Sequence, residues 1–572
     1  MRQETKIACG RLFDRLAKHP FLCVTGMCVL LFFFGYCDLS GFSTMSYVFA
    51  GVTAACLTLM LILLCNIGKS MGEKAVVFLT AAALITGALL LIHSYDNSPA
   101  LILWFSLFVL AAAAALLRVA DMLNERTFIM LMIAAGIMLR FMYVLYTSSV
   151  IRQHDVGSFS STGIGHAGYI EYWYKNGLKL PDFDVRAYWQ FYHPPLHHWL
   201  MALLLRLLTD IGMPYATACE AIQVLPLLYS SLCMVVCYRI FRIVRLKAMP
   251  LVIAMAILCF HPTFVLMGGF YNNDLLCVLL MLLSVLFALR WYREPTLRRI
   301  LPIALCVGFG MMSKLSGWMV APAIAVIFLY VFVKNIKSWL KFLGQFAIFG
   351  VICAPLGLWW QVRNLLTFQI PLTYVPKLGE NDPQFVGAHS VAERLFDFGN
   401  GQLSYVYDAF GFYGAPYYEY NPTLGLVKTS LFDECAQAIN DTNFPQIHVT
   451  GPILFWIGAA LGLLCFVAFI VSMLSKKSGV DGVTRAFFGI FAVTMLVSYY
   501  IFCFEFPLTC TMNIRYCVPL IPLFAMGLGL LLQRFSGASL PQKLLRYTAY
   551  ALTAAFAVSV CVVYTQIGLP AV

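Results

Sequence analysis

Charge is what this sequence has least of. Asp, Glu, Lys and Arg make up 11% of its 572 residues, against about 25% in an average soluble domain. So few charges over such a length exclude a soluble multidomain enzyme. Disorder is excluded as well, because disordered chains are polar and poor in aromatics, and 15% of these residues are aromatic. A cleavable signal peptide is also missing: the first 19 residues are polar and basic, and no A-x-A-like site ends the first apolar run. There is no internal repeat, heptad or low-complexity tract, and no half-to-half symmetry of the kind secondary transporters carry. The 19 cysteines do not form a secreted disulfide framework. Cys23, Cys28, Cys56 and Cys65 lie in apolar runs, where a thiol behaves as a small buried hydrophobe.

What the chain has is apolar length. It is 61% hydrophobic, with a mean hydropathy of +0.83. A spanning helix needs about 20 apolar residues. Spans are expected at 21–37, 47–67, 75–93, 100–118, 128–149, 217–238, 248–268, 275–292, 299–313, 317–333, 340–360, 452–474, 484–504, 514–533 and 546–566. The fold class is thus an all-α polytopic membrane protein of about 15 transmembrane helices, within a range of 12–15. The net charge of +12 reads as positive-inside bias rather than nucleic-acid binding. With the N-terminus in the cytoplasm, 26 basic residues and 7 acids fall inside, and 12 basic residues and 19 acids outside. The inner face then carries +19 and the outer face −7, a separation that a wrong span count would scramble.

This topology leaves two long polar segments outside, 150–216 and 361–451, and loops of such length are usually functional. The expected organisation is N-terminal transmembrane helices over 1–126 and a membrane core over 127–360 carrying the first loop. An extracytoplasmic cap over 361–451 and C-terminal transmembrane helices over 452–572 follow.

The candidate chemistry gathers in these segments. Asp155, in RQHDVGSF, suits a general base or an acceptor-orienting carboxylate, or is a solvated loop acid or helix cap. GIGHAG at 163–168 matches G-x-G-x-x-G, but no strand precedes it and it faces away from cytosolic nucleotide, so the nucleotide reading is rejected. In QFYHPPLHHWLMALLLRLL, Pro194 and Pro195 suit a helix start, and the amphipathic run after them reads as an interfacial helix. His193 and His197 are four apart, a spacing open to a metal or to interfacial hydrogen bonds. Asn272, Asn273 and Asp274 end the outer side of a span, where ionisable groups are functional candidates, although Asp274 also suits a helix cap. Lys314 is the lone basic residue of an outer turn, placed to hold an anionic headgroup or to snorkel. Arg363 and Arg515 also fall outside, and arginine's planar donor fork suits phosphate. Lys428, Asp433 and Glu434 read as surface charges on a capping helix. Cys435 and Cys510 are both outer and free to pair, and NDT at 440–442 is a sequon that matters only in a eukaryotic secretory host.

The order of these features resembles the GT-C superfamily of lipid-linked-sugar glycosyltransferases. The likeness is to the protein O-mannosyltransferase and aminoarabinose-transferase (glycosyltransferase family 39-like) branch. It rests on the outer Asp155, HPPL at 193–196, NND ending at Asp274, SK at 313–314, RN at 363–364 and RYCVPLIP at 515–522, and covers roughly 127–535. The resemblance implies a GT-C-like fold with interfacial helices in the first outer loop and a second outer capping loop. It implies transfer of a sugar, mannose among the candidates, from a polyprenyl-phosphate donor to an extracytoplasmic protein hydroxyl, wall polymer or glycolipid, with inversion if displacement is direct. Asp155 would be the catalytic carboxylate, Asp274 a supporting acid, and Lys314 and Arg515 the phosphate holders, with Arg363 and His193 near them. Many relatives carry a paired acidic motif before a Tyr where this chain has GHAGYIEY, so His166 or Glu171 is open to sharing the base role. The expected partners are the donor lipid, the acceptor and the bilayer, with no nucleic acid. No cofactor is required, while a divalent cation is compatible. The expected location is a bacterial plasma membrane with the site on its outer face. The rival class is a membrane transporter or lipid flippase, which would place ionisable residues at the bilayer midplane rather than its edge.

Overall fold

The computed structural model describes residues 18–36, 99–119, 121–148, 153, 155–159, 164–382, 384–399, 420–433, 447–537 and 539–566. The expected spans at 47–67 and 75–93, Cys56, Cys65, Cys435, Glu434 and the sequon lie outside these residues. The described residues are mainly helical, and among them there is no strand beyond a single bridge between Phe385 and Leu508.

Two compact units divide the chain, one of residues 1–148 and 564–572, the other of residues 149–563. In the first, α1 (Pro20–Tyr36) and α2 (Pro99–Val119) both pack on α3 (Glu125–Leu145). Asn124 caps α3 by accepting from the Thr127 amide at 2.9 Å. Arg140 is fully buried on this helix and donates to the Gly136 carbonyl at 2.8 Å.

The second unit opens with α4 (Gly165–Lys175), α5 (Leu196–Asp210) and α6 (Tyr215–Ala221). The helix expected after Pro194-Pro195 is α5. It buries His197, His198, Met201, Leu205 and Leu208 and turns Leu200, Leu203, Leu207 and Ile211 outward. That three-to-four spacing of exposed apolar groups is the pattern of a helix lying in a membrane interface. The bundle follows: α7 (Val224–Ile243), α8 (Ala248–Phe260), α9 (Pro262–Leu266), α10 (Asp274–Arg293), α11 (Leu297–Ser313), α12 (Ala321–Lys334) and α13 (Trp339–Phe368). Two short cap helices come next, α14 (Val391–Phe396) and α15 (Pro422–Phe432), then α16 (Ile447–Leu474), α17 (Gly482–Glu505), α18 (Leu520–Arg534) and α19 (Leu540–Gln566).

Among the described residues, eight helices are long and apolar enough to cross a membrane. The number is nine when Ala248–Phe260 and Pro262–Gly269, bent by 48°, count as one span. The bend has a local cause: Pro262 lacks an amide proton and cannot continue the ladder from α8. Each of the thirteen expected spans that fall on described residues overlaps one helix or two consecutive helices. Leu520–Arg534, with 15 residues, is short of a full crossing.

The packing at α10, α11 and α13 positions the site. α10 lies against α7 and α11, and α11 against α13. A tight 3-10 turn, Leu315–Val320, links α11 to α12. There Gly317 sits against the backbone of α11, where a Cβ would come within 2.5 Å of the Gly310 carbonyl carbon. Backbone atoms cannot yield as a flexible side chain would. Gly317→Ala is therefore expected to destabilise the folded protein by about 1–3 kcal/mol or more. The check is the melting temperature of detergent-purified protein, with Gly462→Ala as the control, since nothing lies within 4 Å of a Cβ there.

Candidate active site

Three loops converge at one end of the α10–α11 hairpin. The first carries Asp155. Its backbone turns at a positive φ of 55°, and its carbonyl accepts from the His166 amide at 2.9 Å while the Val156 carbonyl accepts from Ala167 at 2.8 Å. This closure needs Gly157 (φ 64°), where a Cβ would lie 1.9 Å from the Ile164 carbonyl oxygen. Gln153 ties the same loop to the next one. Its side chain donates to the Gly269 carbonyl at 2.9 Å and accepts from the Tyr271 amide at 2.8 Å.

The second loop leads into α10. The Asn273 amide donates to the Ser313 carbonyl at 2.7 Å, and the Ser313 hydroxyl donates to the Asn273 carbonyl at 3.0 Å. This reciprocal pair sets the N-terminus of α10 level with the C-terminus of α11. Asp274, first residue of α10, therefore faces Lys314, which caps α11, and their side chains form an ion pair. Asp274 is not the capping acceptor; Asn272 accepts from the Asp274 amide at 3.2 Å. The carboxylate also sits at the positive end of the helix dipole.

The third segment precedes α18. Arg515 donates to Asp155 across 3.4 Å and to the Tyr516 hydroxyl at 2.9 Å. Trp189 donates to the other Asp155 oxygen at 3.3 Å. Lys314 Nζ and the Arg515 guanidinium carbon lie 4.9 Å and 5.0 Å from the Tyr516 ring centre. Two cations and two carboxylates thus gather around one tyrosine.

These groups line a cavity of about 530 Å³. Its polar lining includes Asp155, His166, His193, Asp274, Lys314, Glu505 and Arg515, and its apolar lining includes Leu315, Trp318, Met319, Ile370, Ile501 and Phe502. Six of the eight candidates from the sequence meet here. Glu171 does not line it: it accepts from Tyr215 at 2.8 Å and pairs with Lys175 at 2.9 Å. Nor does Arg363, which turns to the Pro181 carbonyl and to Asn364 at 2.8 Å and lies over the Trp360 ring. Sequence reasoning missed Gln153, Trp189, Gln190, Tyr192 and Glu505. The last three line the cavity, but each is a lone polar residue with no motif to mark it.

The histidines stack at the wall. His166 Nδ1 and His198 Nε2 lie 2.9 Å apart, and the His166 ring stacks on both His193 and His198. His197 Nε2 instead meets the Tyr271 carbonyl at 2.9 Å, so His193 and His197 do not converge as a ligand pair. No group of three His, Cys, Asp or Glu that would hold a metal occurs among the described residues. Burial, with the Lys314 charge second, depresses His193 to about 3. Burial likewise depresses His197 to about 4 and His198 well below its usual value. Unfolding exposes them to titration near 6.5. Between these values the unfolded chain binds more protons, so the stability they confer is complete above about pH 6.5 and falls as pH drops. Melting temperature should decline steadily from pH 7 to pH 5. About 2 kcal/mol is lost per buried histidine by pH 5, and His193→Gln should flatten the slope. A flat profile in the wild type would contradict neutral burial.

The fold and site together define a multispan α-helical membrane protein with a charged cavity at one end of its bundle. Residues 192–359, which hold His193, Asp274 and Lys314, match the family model described as dolichyl-phosphate-mannose-protein mannosyltransferase. Over that segment, 168 of its 572 residues, the chain is similar to this family. Among solved structures it is similar to ArnT from Cupriavidus metallidurans in the apo state. That similarity is 14% identity over 77% of this chain and 76% of the other, with a TM-score of 0.43. No curated protein matches the chain.

Proposed function

We propose that the protein transfers a sugar from a polyprenyl-phosphate donor to a hydroxyl-bearing acceptor on the extracytoplasmic side of its membrane. The observation that carries this reading is the meeting of Lys314 and Arg515 with Asp155 in one half-apolar cavity. Asp155 takes the proton of the acceptor hydroxyl as its oxygen attacks the anomeric carbon. The bond from that carbon to the phosphate oxygen breaks, and its electron pair leaves with the lipid phosphate. The donor phosphodiester carries one negative charge and the released monoester up to two. Lys314 and Arg515 therefore attract the transition state more than the ground state, which is what lowers a barrier. Direct displacement inverts the anomeric centre.

Lys314 and Arg515 each face a carboxylate, Asp274 and Asp155, and an incoming phosphate draws each cation from its partner. The apolar wall around Trp318 and Phe502 suits the first isoprenes of the lipid. Positive-inside bias supports placing this end outside, where nucleotide sugars are absent and a donor must arrive through the membrane. The test is a transfer assay in reconstituted membranes. A panel of labelled polyprenyl-phosphate sugars is offered with crude extracytoplasmic acceptors to wild type and to Asp155→Asn. Label passing from lipid to acceptor with the wild type alone supports the reading. Label crossing sealed vesicles without transfer would replace it with transport.

A further inference from the structure

We propose that Asp433 and Asn513 are positioning residues that aim the Arg515 guanidinium into the cavity from the cap helix α15. This rests on the reading of Arg515 as a phosphate holder. The sequence places Asp433 and Lys428 on a solvated surface, but the structure buries both, at 6% and 0% exposure. Asp433 ends α15 in a backbone conformation, φ 58° and ψ −165°, that is nearly confined to glycine. Its side chain accounts for an aspartate there: Asp433 Oδ1 accepts from Asn513 Nδ2 at 2.9 Å. Asn513, fully buried, accepts in turn from the Arg515 amide through Oδ1 at 2.9 Å. One residue on, the Ile514 amide donates to the Thr429 hydroxyl at 2.9 Å.

The backbone of 512–515 can lie this close to α15 because Gly425 faces it; a Cβ there would meet the Met512 carbonyl oxygen at 2.8 Å. The cap helix is itself held firmly. Tyr499 donates to the Pro422 carbonyl at 2.7 Å, and Thr263 to the Ser430 carbonyl at 2.9 Å. A rigid helix outside the bundle thus fixes the turn from which Arg515 projects toward Asp155. The acceptor oxygen of Asp433 sets the rotamer of Asn513, and Asn513 sets the turn.

The experiment uses the full chain in detergent and farnesyl phosphate as probe, with binding read by intrinsic fluorescence and folding by melting temperature. Asp433→Gly removes the acceptor while relieving the backbone. It should remain folded, the relieved backbone offsetting part of the lost bond, yet bind the probe about tenfold more weakly. Asp433→Asn keeps an acceptor oxygen and tolerates positive φ, and should bind within about threefold of wild type. Arg515→Ala should bind weakly, and Asp433→Gly added to it should cost nothing further, because both act on one contact. Weak binding by Arg515→Ala with normal binding by Asp433→Gly would overturn the positioning role alone, as would full additivity in the double variant. Normal binding by Arg515→Ala would overturn the phosphate reading, and the role built on it.

Discussion

Asp155→Asn should lower sugar transfer by about 10²–10⁴-fold, the usual contribution of a positioned general base, without unfolding the protein. The replacement is isosteric, and its amide oxygen can still accept from Trp189. Its effect on the donor site has a definite sign. Asp155 is the carboxylate that Arg515 holds in the cavity. Removing its charge frees the guanidinium, so farnesyl phosphate should bind as well as to wild type or more tightly. Chemistry lost with affinity kept separates a base from a structural acid. Normal turnover in this variant would remove Asp155 from the mechanism and pass the role to another cavity group.

Lys314→Met should have the second large effect, with two separable parts. Loss of one cation from the departing phosphate should cost about 10²–10³-fold in kcat/KM. Loss of the partner of Asp274, whose side chain is 4% exposed, takes away the cation that faces a buried carboxylate and should lower the melting temperature, because a buried charge is costly when its pairing is weakened. The double variant Lys314→Met with Asp274→Asn removes both charges. It should recover the melting temperature and leave transfer at the level of the single variant. Recovered transfer would make the pair a strut of the α10–α11 hairpin and nothing more.

Lys314 shows what a sequence can disclose. It is the lone basic residue of its turn, on the side expected to be outer and against the positive-inside bias, and a cation so placed needs a local reason. Its reason is the carboxylate forty residues before it, brought level by Asn273 and Ser313. The helices were legible on similar grounds, because long apolar runs leave the backbone no other way to satisfy its hydrogen bonds in hydrocarbon. Glu171 and Arg363 were also marked by charge near a span end, yet both turn from the cavity to Tyr215, Lys175 and Pro181. Side-chain direction depends on neighbours far along the chain, and composition does not carry it. Asp433 failed differently. An acid after a short cap helix reads as solvated, and only the left-handed turn that buries it against Asn513 shows otherwise. Gln153 was invisible because its importance is entirely geometric, as a clasp between Gly269 and Tyr271.

The contact between Arg515 and Asp155 closes over 360 residues of chain. At about 5–20 residues per second, a ribosome needs on the order of 20–70 s to travel that distance. During this interval the first loop is already made while its counter-charge is not. Until then, the turn that presents Asp155 has only bonds to earlier-made parts of the chain to hold it. The backbone closure onto His166 and Ala167 and the clasp of Gln153 are the bonds available early, because their partners are synthesised within about the next hundred residues. Birth order thus asks the Asp155 loop to hold itself and leaves its ion pair with Arg515 to the last helices inserted.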